Sequence, residues 1–152
     1  MSLPTGPTPG FLVWRLSMKW RTAVDRALAP LGLTHAQYSL LASLYGMRRA
    51  GDGAKPSQRR LADHTGLEAL YVSKLARTLE STGLIARDTD PNDSRAVLLS
   101  LTPHGEEVVG RAVVVVRELH HELLRPLGGL AGEDTKQLVT MLNTLLDHQP
   151  RE

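Results

Sequence analysis

Two short motifs place histidine and acidic side chains at spacings close to those of metal sites. The run His121–Arg125 begins like a zinc-protease motif, but Arg125 stands where the second histidine ligand is required. The run that starts at Asp88 begins like a calcium loop, yet its sixth residue is Asp93 and its twelfth is Leu99, where glycine and glutamate are needed. Both are chance matches, and the spacing pairs no nucleophile with a base. We therefore expect no enzymatic activity and no cofactor.

The remaining metal-ligand candidates are histidines. His104, His120 and His121 could join a metal site across two copies of the chain, but the sequence has no cysteine and no paired ligand spacing. Surface or hydrogen-bonded histidines are the better interpretation. The absence of cysteine from the sequence also excludes disulfides and thiol redox sensing, and it fits a reducing compartment.

Seven basic side chains in the middle of the chain could bind phosphate groups. They are Lys55, Arg59, Arg60, Lys74, Arg77, Arg87 and Arg95. Any one of them alone is more often a solvated surface residue, but together they fall in consecutive predicted elements. The net charge is only +2, and it is uneven: residues 1–54 carry six basic and two acidic side chains, whereas residues 103–152 carry five and eight. The excess of basic side chains in the N-terminal third of the sequence suits an anionic partner.

The elements that position these side chains follow from helix caps and hydrophobic spacing. Thr8-Pro9 starts a long first helix that stops at Pro30, and Thr34 begins a capping-box sequence that starts a second helix. Ser57 caps a short third helix, and Gly66 supplies a tight turn before a fourth helix. The third and fourth helices are therefore joined as in a helix-turn-helix.

The fourth helix has one apolar face and one polar face. Its apolar residues recur at helical spacing and are Val72, Leu75, Ala76 and Leu79. The side chains left nearer the outer surface are Tyr71, Ser73, Lys74, Arg77 and Thr78. We therefore expect the polar face to be available for a partner.

A hairpin and two helices complete the chain. Apolar residues alternate with polar ones after a turn-forming run, which predicts a β-hairpin with a polar tip over Asp90–Ser94. Thr102-Pro103 restarts a helix that continues to about Arg125, and a last helix begins at about Glu133. The last helix carries a stripe of apolar residues, namely Leu138, Met141, Leu142, Leu145 and Leu146.

This order of elements predicts a mainly α-helical chain built on a winged helix-turn-helix with a two-stranded hairpin as its wing. Such a domain presents its second helix to the DNA major groove, and the wing reaches the neighbouring minor groove or backbone. Residues 34–102 would form this domain. Residues 1–33 and 103–152 would form a helical dimerisation region, because their apolar surface exceeds what one winged domain can cover.

One set of residues is more specific than a generic winged helix. It comprises Gly66-Leu67, Val72-Ser73-Lys74-Leu75, Leu79-Glu80, Gly83-Leu84-Ile85, Arg87, Asp93-Ser94-Arg95-Ala96, Leu101-Thr102 and Gly105. With the flanking long helices, this set resembles the MarR family of bacterial transcriptional regulators over nearly the whole chain. The resemblance implies a homodimer that binds pseudopalindromic DNA, usually as a repressor, and that is often released by small aromatic anions.

The resemblance also assigns roles to individual residues. Val72, Leu75 and Leu79 become the buried face of the recognition helix. Arg95 becomes the wing arginine that enters the minor groove, and Asp93 the carboxylate that orients wing arginines. The alternative for Asp93 is that it only stabilises the turn, since aspartate is a common turn residue.

The start of the fourth helix departs from the family pattern. Glu68 occupies the place where a small hydroxyl residue usually caps the recognition helix, and Ala69 and Leu70 replace polar residues. A carboxylate near phosphates is unfavourable, and alanine or leucine can read only thymine methyl groups or DNA shape. We therefore expect DNA shape to contribute more of the base specificity.

Most of the aromatic residues lie on the first two helices. Trp14 and Trp20 lie on the first helix, together with Met18, and Tyr38 and Tyr45 lie on the second. Core packing accounts for such a stripe. The alternative is a pocket between the dimer helices and the winged domain, where Trp14, Met18, Tyr38 and Tyr45 would bind a small aromatic effector.

We interpret the chain as a DNA-binding transcriptional regulator that acts as a homodimer. The rival interpretation is a winged-helix protein interaction module without specific DNA binding. The apolar stretch Ala112–Val116 is too short to span a membrane, so we expect a cytoplasmic protein. The candidate DNA-binding residues are Lys55, Arg59, Arg60, Ala69, Leu70, Tyr71, Ser73, Lys74, Arg77, Thr78, Arg87, Asp93 and Arg95.

Overall fold

The structure, a computed structural model, describes residues 5–51 and 53–151. The predicted dimerisation region, residues 1–33 and 103–152, is thus described over residues 5–33 and 103–151, and Asp52 lies outside the described residues as well. The helices are α1 (Pro9–Leu28), α2 (His35–Ala50), α3 (Gln58–Thr65), α4 (Ala69–Ser81), α5 (Pro103–Leu123) and α6 (Glu133–Asp147), and the strands are β1 (Ile85–Asp90) and β2 (Asp93–Leu101). This mainly α-helical winged helix-turn-helix confirms the predicted fold class.

Side-chain caps fix where the helices begin. The Thr8 hydroxyl accepts a hydrogen bond from the backbone N–H three residues later, at 3.2 Å. At the start of α2, Thr34 accepts from the Gln37 N–H, and the Gln37 side chain accepts from the Thr34 N–H. Ser57 and Thr102 cap α3 and α5 in the same way. The predicted caps are confirmed, because each satisfies backbone donors that the helix leaves unpaired.

The turn between α3 and α4 depends on Gly66. Its φ of +74° is a left-handed conformation that glycine adopts without a steric penalty. The Gly66 N–H donates to the Ala62 carbonyl at 3.0 Å and closes α3. The chain then reverses within three residues, so α4 packs across α3 and presents its opposite face outward.

One apolar core holds the winged part and the long helices together. From the winged part, the largest fully buried side chains are Leu40, Leu41, Leu61, Val72, Leu79, Ile85 and Leu99. The long helices add Val24 and Leu28 from α1 and Val109 from α5 to the same cluster. Because the cluster is continuous, α1 and α5 fix the orientation of the winged part.

The hairpin differs from the prediction at its tip. Strand pairing extends to Asp90 and resumes at Asp93, so only Pro91 and Asn92 lie between the strands. The predicted five-residue tip is therefore wrong. Asp90 accepts a hydrogen bond from the Asn92 N–H, and Asp93 accepts from the Arg95 N–H, so these turn-forming side chains fix the backbone within a tight hairpin.

A segment outside the hairpin also pairs with β2. The Leu99 N–H donates to the Pro56 carbonyl at 2.9 Å, and Ser57 lies opposite Leu98. This pairing connects the wing to the start of α3.

Within the described ranges, none of the helices is long and apolar enough to cross a membrane.

Candidate nucleic-acid interface

The outward face of α4 is the centre of the candidate site. Leu70, Lys74 and Arg77 are spaced as i, i+4 and i+7, so they form one row along the helix. The row lies opposite the buried side chains of α4, and all three of its members are exposed. We call these three residues the outward row. It combines two cations with an apolar side chain at its N-terminal end.

The other α4 candidates flank this row. Tyr71 and Ala69 are exposed on the first turn, and Ser73 is half-buried. Thr78 is exposed, and its hydroxyl donates to the Lys74 carbonyl at 3.2 Å. These four residues therefore lie at the sides of α4, and the outward row lies between them on the face opposite the core.

The N-terminus of α4 has no side-chain cap. Glu68 occupies the cap position, and its side chain makes no capping hydrogen bond. The departure from the family pattern at this position therefore has a structural consequence, because the first backbone N–H groups of α4 lack the acceptor that Ser57 gives α3.

Three basic candidates lie before or on α3. Arg59 and Arg60 are exposed on its first turn. Lys55 is also exposed, and its ammonium lies 3.0 Å from an Asp88 carboxylate oxygen on β1. Exposed ion pairs of this kind are weak, so an incoming phosphate could compete for Lys55.

Arg87 is placed differently from the other basic candidates. Its side chain is only 22% exposed, and its guanidinium is 3.7 Å from a Glu80 carboxylate oxygen. Its Nε also donates to the Gln58 side chain at 3.3 Å. Arg87 therefore ties the hairpin to α3 and α4, and the structure does not group it with the exposed cations.

The wing carries Arg95 on the exposed end of β2. The Asp93 carboxylate accepts a hydrogen bond from the backbone N–H of Arg95 at 3.0 Å. This contact is the turn-stabilising one, which was the alternative to orienting an arginine side chain. Asp93 thus shapes the backbone that carries Arg95.

The four predicted effector residues are not brought into one pocket. Trp14 is 61% exposed on α1, and Met18 lines an open groove on that helix with Leu12 and Leu16. Tyr38 and Tyr45 pack against the core and do not line that groove. Core packing is therefore confirmed for the two tyrosines, and it is wrong for Trp14 because that side chain projects away from this chain.

A polar cluster at the junction of α1, α2 and α5 was not predicted from the sequence. The Trp20 indole N–H donates to His120 Nε2 at 3.1 Å, with ring centroids 5.2 Å apart. Nearby, the backbone N–H of His35 donates to an Asp25 carboxylate oxygen at 2.6 Å. Trp20 and His120 are 100 residues apart, so no local spacing could have shown the contact.

Burial lowers the pKa of both histidines in this cluster. For His120, desolvation is the main cause and the proximity of His35 adds to it. For His35, desolvation and Arg21 lower the pKa and outweigh the opposite effect of Asp25. The interpretation of His120 as a hydrogen-bonded histidine is confirmed. No three histidine, aspartate or glutamate residues in the described part of the chain are arranged to hold a metal ion.

Comparisons with known proteins agree with this geometry. A MarR family model matches residues 31–96. The uncharacterized HTH-type transcriptional regulator YdcH of Bacillus subtilis (strain 168) is 35% identical over 147 residues, covering 95% of each chain.

Solved structures show the same fold. S. aureus MepR in a complex with DNA has a TM-score of 0.79 at 26% identity, covering 93% of this chain and 98% of MepR. CouR from Rhodococcus jostii RHA1 bound to p-coumaroyl-CoA has a TM-score of 0.80 at 25% identity, covering 99% of this chain and 100% of CouR. The sequence match to YdcH extends over nearly the whole length of both chains, and the chain belongs to the MarR family of transcriptional regulators.

Proposed function

We propose that this chain represses transcription by binding operator DNA through the outward face of α4. The observation that carries the proposal is the outward row, which sets Lys74 and Arg77 on the exposed side of the second helix of a helix-turn-helix. In such domains this helix enters the major groove. The MepR structure, a complex with DNA, supports the same use of the fold.

The basic residues would contact different parts of the DNA. Lys74 and Arg77 contact phosphates beside the groove, and Lys55, Arg59 and Arg60 contact the backbone from the start of α3. Arg95 enters the adjacent minor groove from the wing. Arg87 supports the hairpin through its contacts with Glu80 and Gln58.

We propose that two copies of the chain assemble through residues 1–33 and 103–152. The supporting observation is the apolar surface that one copy leaves exposed on α1 and α6, including Phe11, Trp14, Met141, Leu145 and Leu146. Burying such a surface favours association. A two-fold dimer would bind a pseudopalindrome with half-site centres about 10 bp apart.

We also propose release by a small aromatic effector. The support is that CouR, a protein of the same fold, binds p-coumaroyl-CoA, a ligand that carries an aromatic acyl group. Trp14 and Met18 would meet the ligand only if the second copy completes a pocket over α1. Titration of aromatic carboxylates into the DNA complex should change tryptophan fluorescence and release DNA. The absence of both effects at millimolar concentration would contradict this part of the proposal.

The proposal is tested by selecting bound fragments from random DNA. We expect the selected pool to share one pseudopalindrome, and binding to weaken steeply as salt rises. We propose that the protein binds its operator in the cytoplasm and that this binding requires no enzymatic step. A protein that enriches no sequence and binds a protein partner independently of salt would support the interaction-module alternative.

A further inference from the structure

An exposed leucine lies where a recognition helix meets the bases. Leu70 is 69% exposed on the first turn of α4, at the N-terminal end of the outward row. Of the described residues from 29 to 102, only Leu70 and its neighbour Tyr71 are large hydrophobic side chains with exposed surfaces. The remaining exposed apolar side chains lie on α1, on α5 and from Leu130 to α6, which is the surface assigned to dimerisation.

The surroundings of Leu70 match DNA in charge. Lys74 and Arg77 lie beyond it in the same row, so phosphates held by these cations would bring the first turn of α4 to the floor of the groove. Ala69 is small, and Glu68 makes no capping contact over the first turn. The end of the row that meets the bases therefore presents an apolar side chain without donors or acceptors.

The group on the base edges of the major groove that best suits such a side chain is the C5 methyl of thymine. It is the one methyl group there, and the groups that distinguish the other bases are hydrogen-bond donors and acceptors. We propose that Leu70 is a specificity-determining residue that contacts a thymine methyl group in each half-site. This inference rests on the proposed DNA binding and names the base feature that the site reads.

The test replaces thymine by deoxyuridine, one position at a time, in the selected operator. The substitution removes the methyl group and leaves the hydrogen-bonding edge unchanged. For the wild-type protein, we expect one position in each half-site at which the dissociation constant rises about fourfold, and about sixteenfold when both half-sites are changed. Fluorescence anisotropy at fixed salt measures both values.

Variants then assign the effect to Leu70. Leu70→Ala should bind the thymine and deoxyuridine operators with nearly equal affinity, whereas Leu70→Met should keep part of the discrimination. Lys74→Ala is the matched control from the same row, and it should weaken binding to both operators by the same factor. Leu70 is exposed, so its replacement should leave the fold intact.

Two results would overturn the inference while the proposed function stands. One is salt-dependent operator binding in which no deoxyuridine substitution changes affinity. The other is undiminished discrimination by Leu70→Ala. A chain that binds no DNA in the selection would overturn the proposed function itself, and the inference with it.

Discussion

At the scale of single residues, the wing offers one exposed arginine among several carboxylates. Asp88 is paired with Lys55, while Asp90 and Asp93 accept backbone hydrogen bonds at the tip. These contacts occupy the carboxylates locally and leave the Arg95 side chain at the surface. Arg95 is therefore the wing residue most suited to an anionic groove.

Arg95→Ala should reduce affinity most for operators flanked by A·T-rich DNA. Narrow minor grooves there have an enhanced negative potential that attracts arginine. The check compares dissociation constants on A·T-rich and G·C-rich flanks around one operator core. Arg111→Ala, an exposed arginine on α5, serves as the control. An equal reduction of affinity on both flanks would contradict a role for Arg95 in reading groove width.

The junction histidines predict a pH dependence of stability. Because their pKa values are lowered in the folded chain, the unfolded chain takes up protons first as pH falls below about 6.5. Stability should therefore decrease between pH 6.5 and the lower pKa values of folded His35 and His120. Urea unfolding at about pH 7.5 and about pH 5.5 measures this decrease.

His120→Gln should weaken that pH dependence. Glutamine can still accept from the Trp20 indole N–H, but it does not titrate. His104→Gln, an exposed change on the same helix, is the matched control for replacing a histidine by glutamine. If His120→Gln unfolds with the wild-type pH profile, His120 does not contribute to acid sensitivity.

At the scale of elements, the hairpin and α5 meet through a close backbone contact. A side-chain carbon at Gly105 would lie 1.8 Å from the Leu84 carbonyl oxygen. That oxygen accepts from the Thr102 N–H, and the Thr102 hydroxyl accepts from the Gly105 N–H. Thr102 and Gly105 thus hold the first turn of α5 against the backbone that leads into β1.

Gly105→Ala should destabilise the chain by about 3 kcal/mol, because the backbone of Leu84 must move to admit a methyl group. Gly46→Ala, at an exposed position inside α2 with no atom near the added carbon, should instead stabilise the chain by about 0.5–1 kcal/mol. Urea unfolding measures both changes. A neutral Gly105→Ala would contradict the close contact.

Sequence predicted the elements best where the determining interactions are local. The caps at Thr34 and Ser57 act within three residues, so they can be read from the sequence. The Leu99–Pro56 hydrogen bond and the burial of Arg87 against α3 and α4 depend on packing between distant segments. The sequence shows that these residues are polar or apolar, but it does not show which distant segments they contact.

At the scale of the whole molecule, the exposed apolar face of α6 should be an interface. Leu145 is 67% exposed, and Leu145→Glu would place a charge within the proposed contact. We expect this variant to sediment as a monomer at micromolar concentration, while the wild type sediments as a dimer. Thr140→Glu, on the opposite side of α6, should remain dimeric. A folded wild-type monomer would contradict the proposed assembly.

The central claim, that the outward face of α4 holds DNA, is tested by operator binding across a salt series. Wild type should give a steep linear decrease of log affinity with log salt. Lys74→Ala should reduce the slope by about 0.9 for each phosphate that is no longer neutralised, or about 1.8 for two copies, while the variant remains folded. Wild-type affinity and slope in Lys74→Ala would contradict the assignment of this face to DNA.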